Sequence, residues 1–401
     1  MEYCRKMIIW LCIVVFLYAI LVRFLGATGE FGLDEIWSWT LVKRLDSPQQ
    51  IFTALFIDNN HHLNSLWLFF MSEGQSFLLY RLHSVVAGIL FVVVMAWWGF
   101  RRSFAQGVIL LVLVSFSSLC IRYASEARRY SLLLLFGFGS FVSLEEYIRK
   151  PRLPMAVGFW LLSIGAFLSH LTYAYVFVAL GGFLTVALWK QGGWKCAGRH
   201  GFVVFGAPIL FLIFFALFHL QHIRTGGGPN PPVDEALVRF GVQVLGVPDI
   251  RYIAFVGATV LLAILLVRLD SDGRNHRTES FMFHAVLFLI APPVFLIVRT
   301  PEVMHERYFL ILLPFIFIVL SGVFEQCMQL SRIPRWGVPL MLAFYCIGQM
   351  HYVIPLLQFG RAIVMPSLQY IAEQTQEATV TYGSNNEARA RMYTYFNAVY
   401  L

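Results

Sequence analysis

Apolar runs long enough to cross a bilayer recur along most of this chain, and that repetition limits it to one kind of fold. A span needs about 20 apolar residues. Inside lipid every backbone N–H and C=O must find a partner within the chain, which favours helices. Such runs lie near 7–25, 82–100, 104–121, 130–147, 155–169, 171–189, 202–220, 252–269, 281–298, 308–324 and 337–355, about eleven in all. The fifth and sixth are short and nearly continuous, broken only around Ser169-His170-Leu171. Composition points the same way. Of 401 residues, 59% are hydrophobic and 13% charged, with mean hydropathy +0.70, whereas a soluble domain carries roughly 25% charged residues. The expected fold is an all-α polytopic membrane protein with no single globular core.

The run "MIIWLCIVVFLYAILVRFLG" follows Arg5 and Lys6 and is longer than a signal-peptide core, so it is expected to be a retained anchor. Lysine and arginine set the orientation. With the N-terminus inside, Arg101-Arg102, "RKPR" at 149–152 and the loops at 190–200, 268–280 and 325–336 all fall on the cytoplasmic side. Topology thus accounts for the +8 net charge, and nothing in it asks for nucleic acid. Cys4, Cys12, Cys120, Cys196, Cys327 and Cys346 form no CxxC pair, so neither a disulfide framework nor a zinc site is read from them. The outer asparagines lie in no N-x-Ser/Thr sequon, which favours a bacterial inner membrane with the active face outside.

The outer side then holds a long loop at 26–81, shorter ones at 122–129, 221–251 and 299–307, and a tail from 356 to 401. The chain divides into a membrane domain, 1–355, and this short tail, whose "PSLQYIAEQTQEATVTYG" suggests a helix and a strand. Ser47 and Pro48 offer an N-cap and first position for a surface helix over 47–56.

The outer loops also concentrate the ionisable residues. "FGLDEIWSWT" at 31–40 sets Asp34 and Glu35 beside tryptophans. A helix start attracts acids, but that explains one acid better than two. His61 and His62 follow in "NNHHLNSLWLFF". "IRYASEARRYSLLLLF" crowds Arg122, Glu126, Arg128 and Arg129 together, and a helix starting near Ser125 would put Glu126 and Arg129 on one face. "RTPEVMHERYFL" repeats the chemistry with Glu302, His305, Glu306 and Arg307. Arginines are unexpected on the outer side, and guanidinium pairs bidentately with phosphate. A carboxylate base among such cations suits a reaction with a phosphate leaving group. A divalent cation such as Mg, Mn or Zn, held by carboxylate and imidazole, stays open, with Glu126, His61 and His62 as candidate ligands or a second acid.

An acidic pair soon after the first span, "RLHSVVAG" opening the second, "ASEARRYSLLLLF" opening the fourth and "HERYFLILLPFI" opening a late span occur in order. This pattern resembles the GT-C superfamily of integral-membrane glycosyltransferases, in its protein O-mannosyltransferase and lipid A aminoarabinose transferase branch, over about 1–325. The resemblance implies a polyprenyl-phosphate-sugar donor, a lipid, glycan or protein acceptor, and inverting transfer on the extracytoplasmic face. It makes Asp34 the base and Glu35 its support, with Glu126 as a further acid. It assigns Arg128 or Arg129 to the donor phosphate, and His305 and Arg307 to donor binding. The chain departs from the family in lacking the proline of the first-loop His-Pro-Leu element and in its short tail. A lipid-linked-sugar flippase or secondary transporter is the alternative, but transporters carry their ionisable residues near the midplane.

Overall fold

The computed structural model describes residues 2–224, 232–247, 305–329, 336–361, 364–374 and 394–395. Expected spans 252–269 and 281–298, with Arg299 and Glu302, lie outside the described residues. Helix α1 (Glu2–Gly26) comes first, followed by α2 (Leu33–Val42), α3 (Gln50–Thr53) and α4 (His62–Phe70) in the 26–81 loop, whose end of the bundle is the outer one in the orientation expected from lysine and arginine. Next are α5 (Phe77–Phe100), α6 (Phe104–Phe116), α7 (Ser118–Ala124), α8 (Tyr130–Arg149), α9 (Leu153–Ser169) and α10 (Tyr173–Phe218). After α11 (Val233–Leu245) come a 3-10 turn at Glu306–Leu312 and α12 (Leu313–Gln329), then α13 (Gly337–Phe359) and α14 (Met365–Gln374). No strand occurs among the described residues. The chain is an α-helical membrane protein: six described helical segments are long and apolar enough to span, or seven when α6 and α7 count as one bent span.

Two breaks show how a membrane helix ends without leaving polar groups bare. In α10, Gly192 and Gly193 leave the helical region, Gly193 at φ +71° where a side chain would be strained. Beyond them the chain doubles back, with the Phe177 and Phe205 rings 5.0 Å apart. The expected spans 171–189 and 202–220 are the arms of this hairpin. The run at 104–121 instead bends by 57° between α6 and α7. The groups freed there are taken up within the protein, as a lipid surround requires. Arg23 donates to the α6 carbonyl of Val114 at 3.1 Å, and the Ser118 amide donates to Gln349 Oε1 at 2.7 Å.

Phenylalanines fill the core. Phe138, Phe141 and Phe315 pack together, with Phe138–Phe315 centroids 6.4 Å and Phe141–Phe315 centroids 5.5 Å apart. The Glu306–Gln329 segment is central, with 78% of its most apolar window buried, against 22% for α1 and 11% for α13, whose outer faces suit lipid. A second, smaller core joins the outer loop to the tail: Phe31, Ile36, Trp39, Val42, Leu68 and Tyr80 pack with Val364 and Tyr395.

Two local expectations are corrected. The surface helix expected over 47–56 covers only Gln50–Thr53, because the Asn60 amide takes the carbonyls of Ile51 and Leu55 at 2.7 and 2.8 Å and closes the turn. The fourth span begins at Tyr130, where the apolar run at 130–147 starts, and no helix starts near Ser125. Residues 125–129 form a turn pinned by side chains, so Glu126 and Arg129 share no helical face: Glu126 pairs with Arg361, while Arg129 contacts His61.

Candidate active site at the outer end of the bundle

Helix α2 separates the acidic pair. It starts at Leu33, so Glu35 is its third residue and its carboxylate accepts the Gly32 amide at 2.8 Å, the acidic half of a capping box whose other half glycine has no side chain to supply. The same carboxylate takes a two-pronged contact from Arg81, Nε to Oε1 at 2.8 Å and Nη2 to Oε2 at 2.7 Å, and the Ala127 amide at 2.6 Å. Arg81 directs its remaining donors to the carbonyls of Ala27, Gly29 and Glu30. Both side chains are fully buried. Burial alone would raise the Glu35 carboxyl, but Arg81 and the amides more than offset it and hold it ionised. Glu35 is thereby committed to tying α2, α5 and the 125–129 turn together.

Asp34, one residue earlier, faces elsewhere and is 33% exposed. Its Oδ2 accepts Arg307 Nη1 at 2.7 Å and also Arg128 Nη1. These guanidiniums arrive from sequence positions 273 and 94 residues away. Burial pushes the Asp34 carboxyl up, but Arg128 first and Arg307 next outweigh it, keeping the group well below the usual carboxylate range. Arg128 is oriented in turn by Asn59, whose Oδ1 accepts Nη2 at 3.2 Å and whose amide donates to Ser38 at 3.1 Å. Ser38 closes the ring by donating to the Asp34 carbonyl at 2.9 Å.

His61 lies between two guanidiniums, its Nδ1 facing Arg129 and its Nε2 3.4 Å from Arg128. A neutral imidazole has a single acceptor nitrogen, so His61 can accept from one of the two guanidiniums at a time. The Tyr130 ring flanks both cations, 5.4 Å from the Arg128 guanidinium and 5.0 Å from that of Arg129. His170 and Tyr308 continue this aromatic wall.

Asp34, Arg128, Arg307, Arg129 and His61 therefore converge. The other candidates do not join them. His305 pairs with Glu306, Nδ1 to Oε2 at 2.9 Å. Glu126 is fully buried against Arg361. His62 faces His219 across 3.1 Å and stacks on Phe52, and the His219 Nδ1 binds the Phe52 carbonyl at 3.0 Å. Among the described residues no three His, Cys, Asp or Glu side chains come close enough to hold a metal, and the acids at the site face guanidiniums. Sequence reasoning missed Arg81, Asn59 and Arg361. Arg81 carried the same signal as Arg128, a cation at the outer end of a span. Comparison with protein-family models, curated proteins and solved structures finds no match to this chain.

Proposed function

We propose that the chain is an inverting, GT-C-like glycosyltransferase that moves a sugar from a polyprenyl-phosphate donor to an acceptor hydroxyl, on the outer face of a bacterial cell membrane. The observation that carries this reading is the partly exposed Asp34 carboxylate, clasped by Arg128 and Arg307 at one end of an apolar bundle. An arriving phosphate competes for the N–H groups that Asp34 now holds. As they turn to the phosphate, Asp34 loses the neighbours that depress its basicity. It then takes the acceptor's proton while the hydroxyl oxygen attacks the anomeric carbon from the face opposite the phosphate. The bond from that carbon to the phosphate oxygen breaks, and its electron pair leaves on a phosphate monoester stabilised by Arg128 and Arg307. Because a phosphate already leaves readily, no strong acid is required.

The bent α6–α7 span favours the second reading, a flippase or transporter, because broken helices serve substrate translocation in such proteins. One experiment separates the two. Wild type and Asp34→Asn are placed in lipid vesicles with a panel of polyprenyl-phosphate sugars and envelope acceptor, and release of polyprenyl phosphate is followed. Turnover by wild type that drops about a hundredfold or more in the variant, the scale of a lost general base, supports the transferase. Equal turnover removes Asp34 from the chemistry. No turnover of any donor, with sugar movement across the bilayer, supports the transporter.

A further inference from the structure

The segment that follows α13 returns to the outer loop and adds a residue to the surroundings of the site. Gly360 adopts φ +61°, a region side chains rarely enter, and its Cα lies 3.1 Å from where a Cβ on Gly29 would stand. The close approach therefore requires both glycines. Just beyond, the Glu30 carboxylate accepts the amides of Val364 at 2.6 Å and Met365 at 3.1 Å, fastening the start of α14 to the loop that leads into α2. Tyr395 packs on Trp39 of α2, with ring centroids 5.1 Å apart.

Between these fastenings, Arg361 reaches inward to the fully buried Glu126 carboxylate. Glu126 belongs to the turn that carries Arg128 and Arg129. That turn has three side-chain anchors: Glu35 on the Ala127 amide, Ser84 on the Arg128 carbonyl at 2.7 Å, and Arg361 on Glu126. Burial opposes the charge on Arg361, but Glu126, then Glu35 and Asp34, more than offset it, so it stays cationic. The first two anchors were made by residues of the loop and α5; the third comes from the far end of the chain.

We propose that Arg361 is a positioning residue for the anion site, holding the Arg128-bearing turn through Glu126 and so making the C-terminal segment part of the site. This rests on the reading of Arg128 and Arg307 as phosphate ligands. Without Arg361 the Glu126 carboxylate loses its cation while still buried, and it relaxes toward solvent. That relaxation moves the turn and displaces Arg128 from its place beside Asp34.

The test uses the full chain in detergent and measures its thermal midpoint as a long-chain polyprenyl monophosphate is titrated in, with the matching polyprenol as control. Wild type is expected to be stabilised by the phosphate alone, as a ligand of the folded state must stabilise it. Arg361→Gln is expected to need about tenfold more phosphate for the same rise, the scale of one loosened charge-assisted contact. Arg361→Lys should recover part of the response. Glu126→Gln with Arg361→Gln should recover most of it, because no buried charge is left unpaired. A purely structural role would lower the ligand-free midpoint and leave the concentration dependence unchanged, and that result overturns the proposal while leaving the anion site standing. A stable double variant that remains tenfold weak overturns the route through Glu126. Should wild type not respond to the phosphate, the anion-site reading fails and takes the role of Arg361 with it. If Arg361→Gln does not fold, the lysine and double variants carry the comparison.

Discussion

Helices α5 and α8 each bear charged residues at both ends, and the two ends use the same residue types differently. At the inner end, Arg101 meets Glu146 at 2.5 Å, Arg102 meets Glu145, and Arg149 reaches both acids at 3.4–3.5 Å. These side chains are 13–50% exposed, and the Arg101 and Arg102 guanidiniums lie over Trp97 and Trp98. At the outer end Arg81, Glu35, Glu126 and Arg128 are no more than 2% exposed, and their partners come from α2, α5, the 125–129 turn, the 3-10 turn and the tail. Among these buried groups one carboxylate, Asp34, stays partly open to approach. A dense cluster of opposite charges thus says little by itself. Burial, convergence from distant parts of the chain and one accessible member are what separate a site from a solvated rim.

That distinction is broken most forcefully at Arg81. Arg81→Met leaves the Glu35 carboxylate buried without its cation, and is expected to lower unfolding stability by about 3–5 kcal/mol, read from denaturation in detergent. Adding Glu35→Gln should return part of that loss. If Arg81→Met is no more harmful than a surface substitution, the outer cluster is not the buried framework described above.

A smaller effect should appear in the pH dependence of kcat/KM, which reports the donor-free enzyme, when Arg307 is replaced. Asp34 is held below the usual carboxylate range, so wild type keeps its base ionised throughout the pH range above about 3.9, the ordinary value. In Arg307→Gln one of the two lowering charges is gone, while burial still raises the group. The acid limb of the pH–rate profile should therefore move to higher pH. An unmoved limb would mean that Arg307 does not set the state of Asp34 in the donor-free enzyme.

Much of the helical plan could be read directly from the chain, because span length and hydropathy are local properties. The bend at Ser117 could not: Ser115, Ser117 and Ser118 mark the place, but the groups that allow the bend, Arg23 and Gln349, lie 91 and 231 residues from their backbone partners. At the site, the acids and outer arginines stood out as charges in costly places. How Asp34 and Glu35 divide their tasks did not, although the Gly32-to-Glu35 spacing of the capping box was already present. Arg361 was invisible for another reason: it follows a span directly, as any flanking basic residue does, and only its contact with Glu126 sets it apart.

Outside the arginine cluster, His62 offers a milder probe of what burial does to a titratable group. Burial first and His219 second push its pKa down from 6.5 to about 3. The unfolded chain therefore binds a proton that the folded chain refuses, and stability should fall as pH drops from about 6.5 toward 3. His62→Phe keeps a ring against Phe52 and Phe215 and removes the titration, so its midpoint should vary less over that window. An unchanged slope would assign the acid sensitivity to other groups.

The smallest effect is expected at the inner end, and it is the control on which the comparison depends. Arg102→Gln removes a partner of Glu145 whose own side chain is 32% exposed. Glu145 keeps Arg149 at 3.5 Å and the Trp98 indole N–H at 2.9 Å, so the loss should stay under about 1 kcal/mol. The Arg102 guanidinium also covers the Trp98 ring at 4.1 Å, and glutamine retains part of that contact. The response to polyprenyl monophosphate should be that of wild type, because Arg102 follows the end of α5 opposite Arg81 and the Asp34 cluster. A stability loss matching that of Arg81→Met would show that exposure is the wrong criterion. A weakened phosphate response would instead place the inner charges in communication with the site, across the full length of α5.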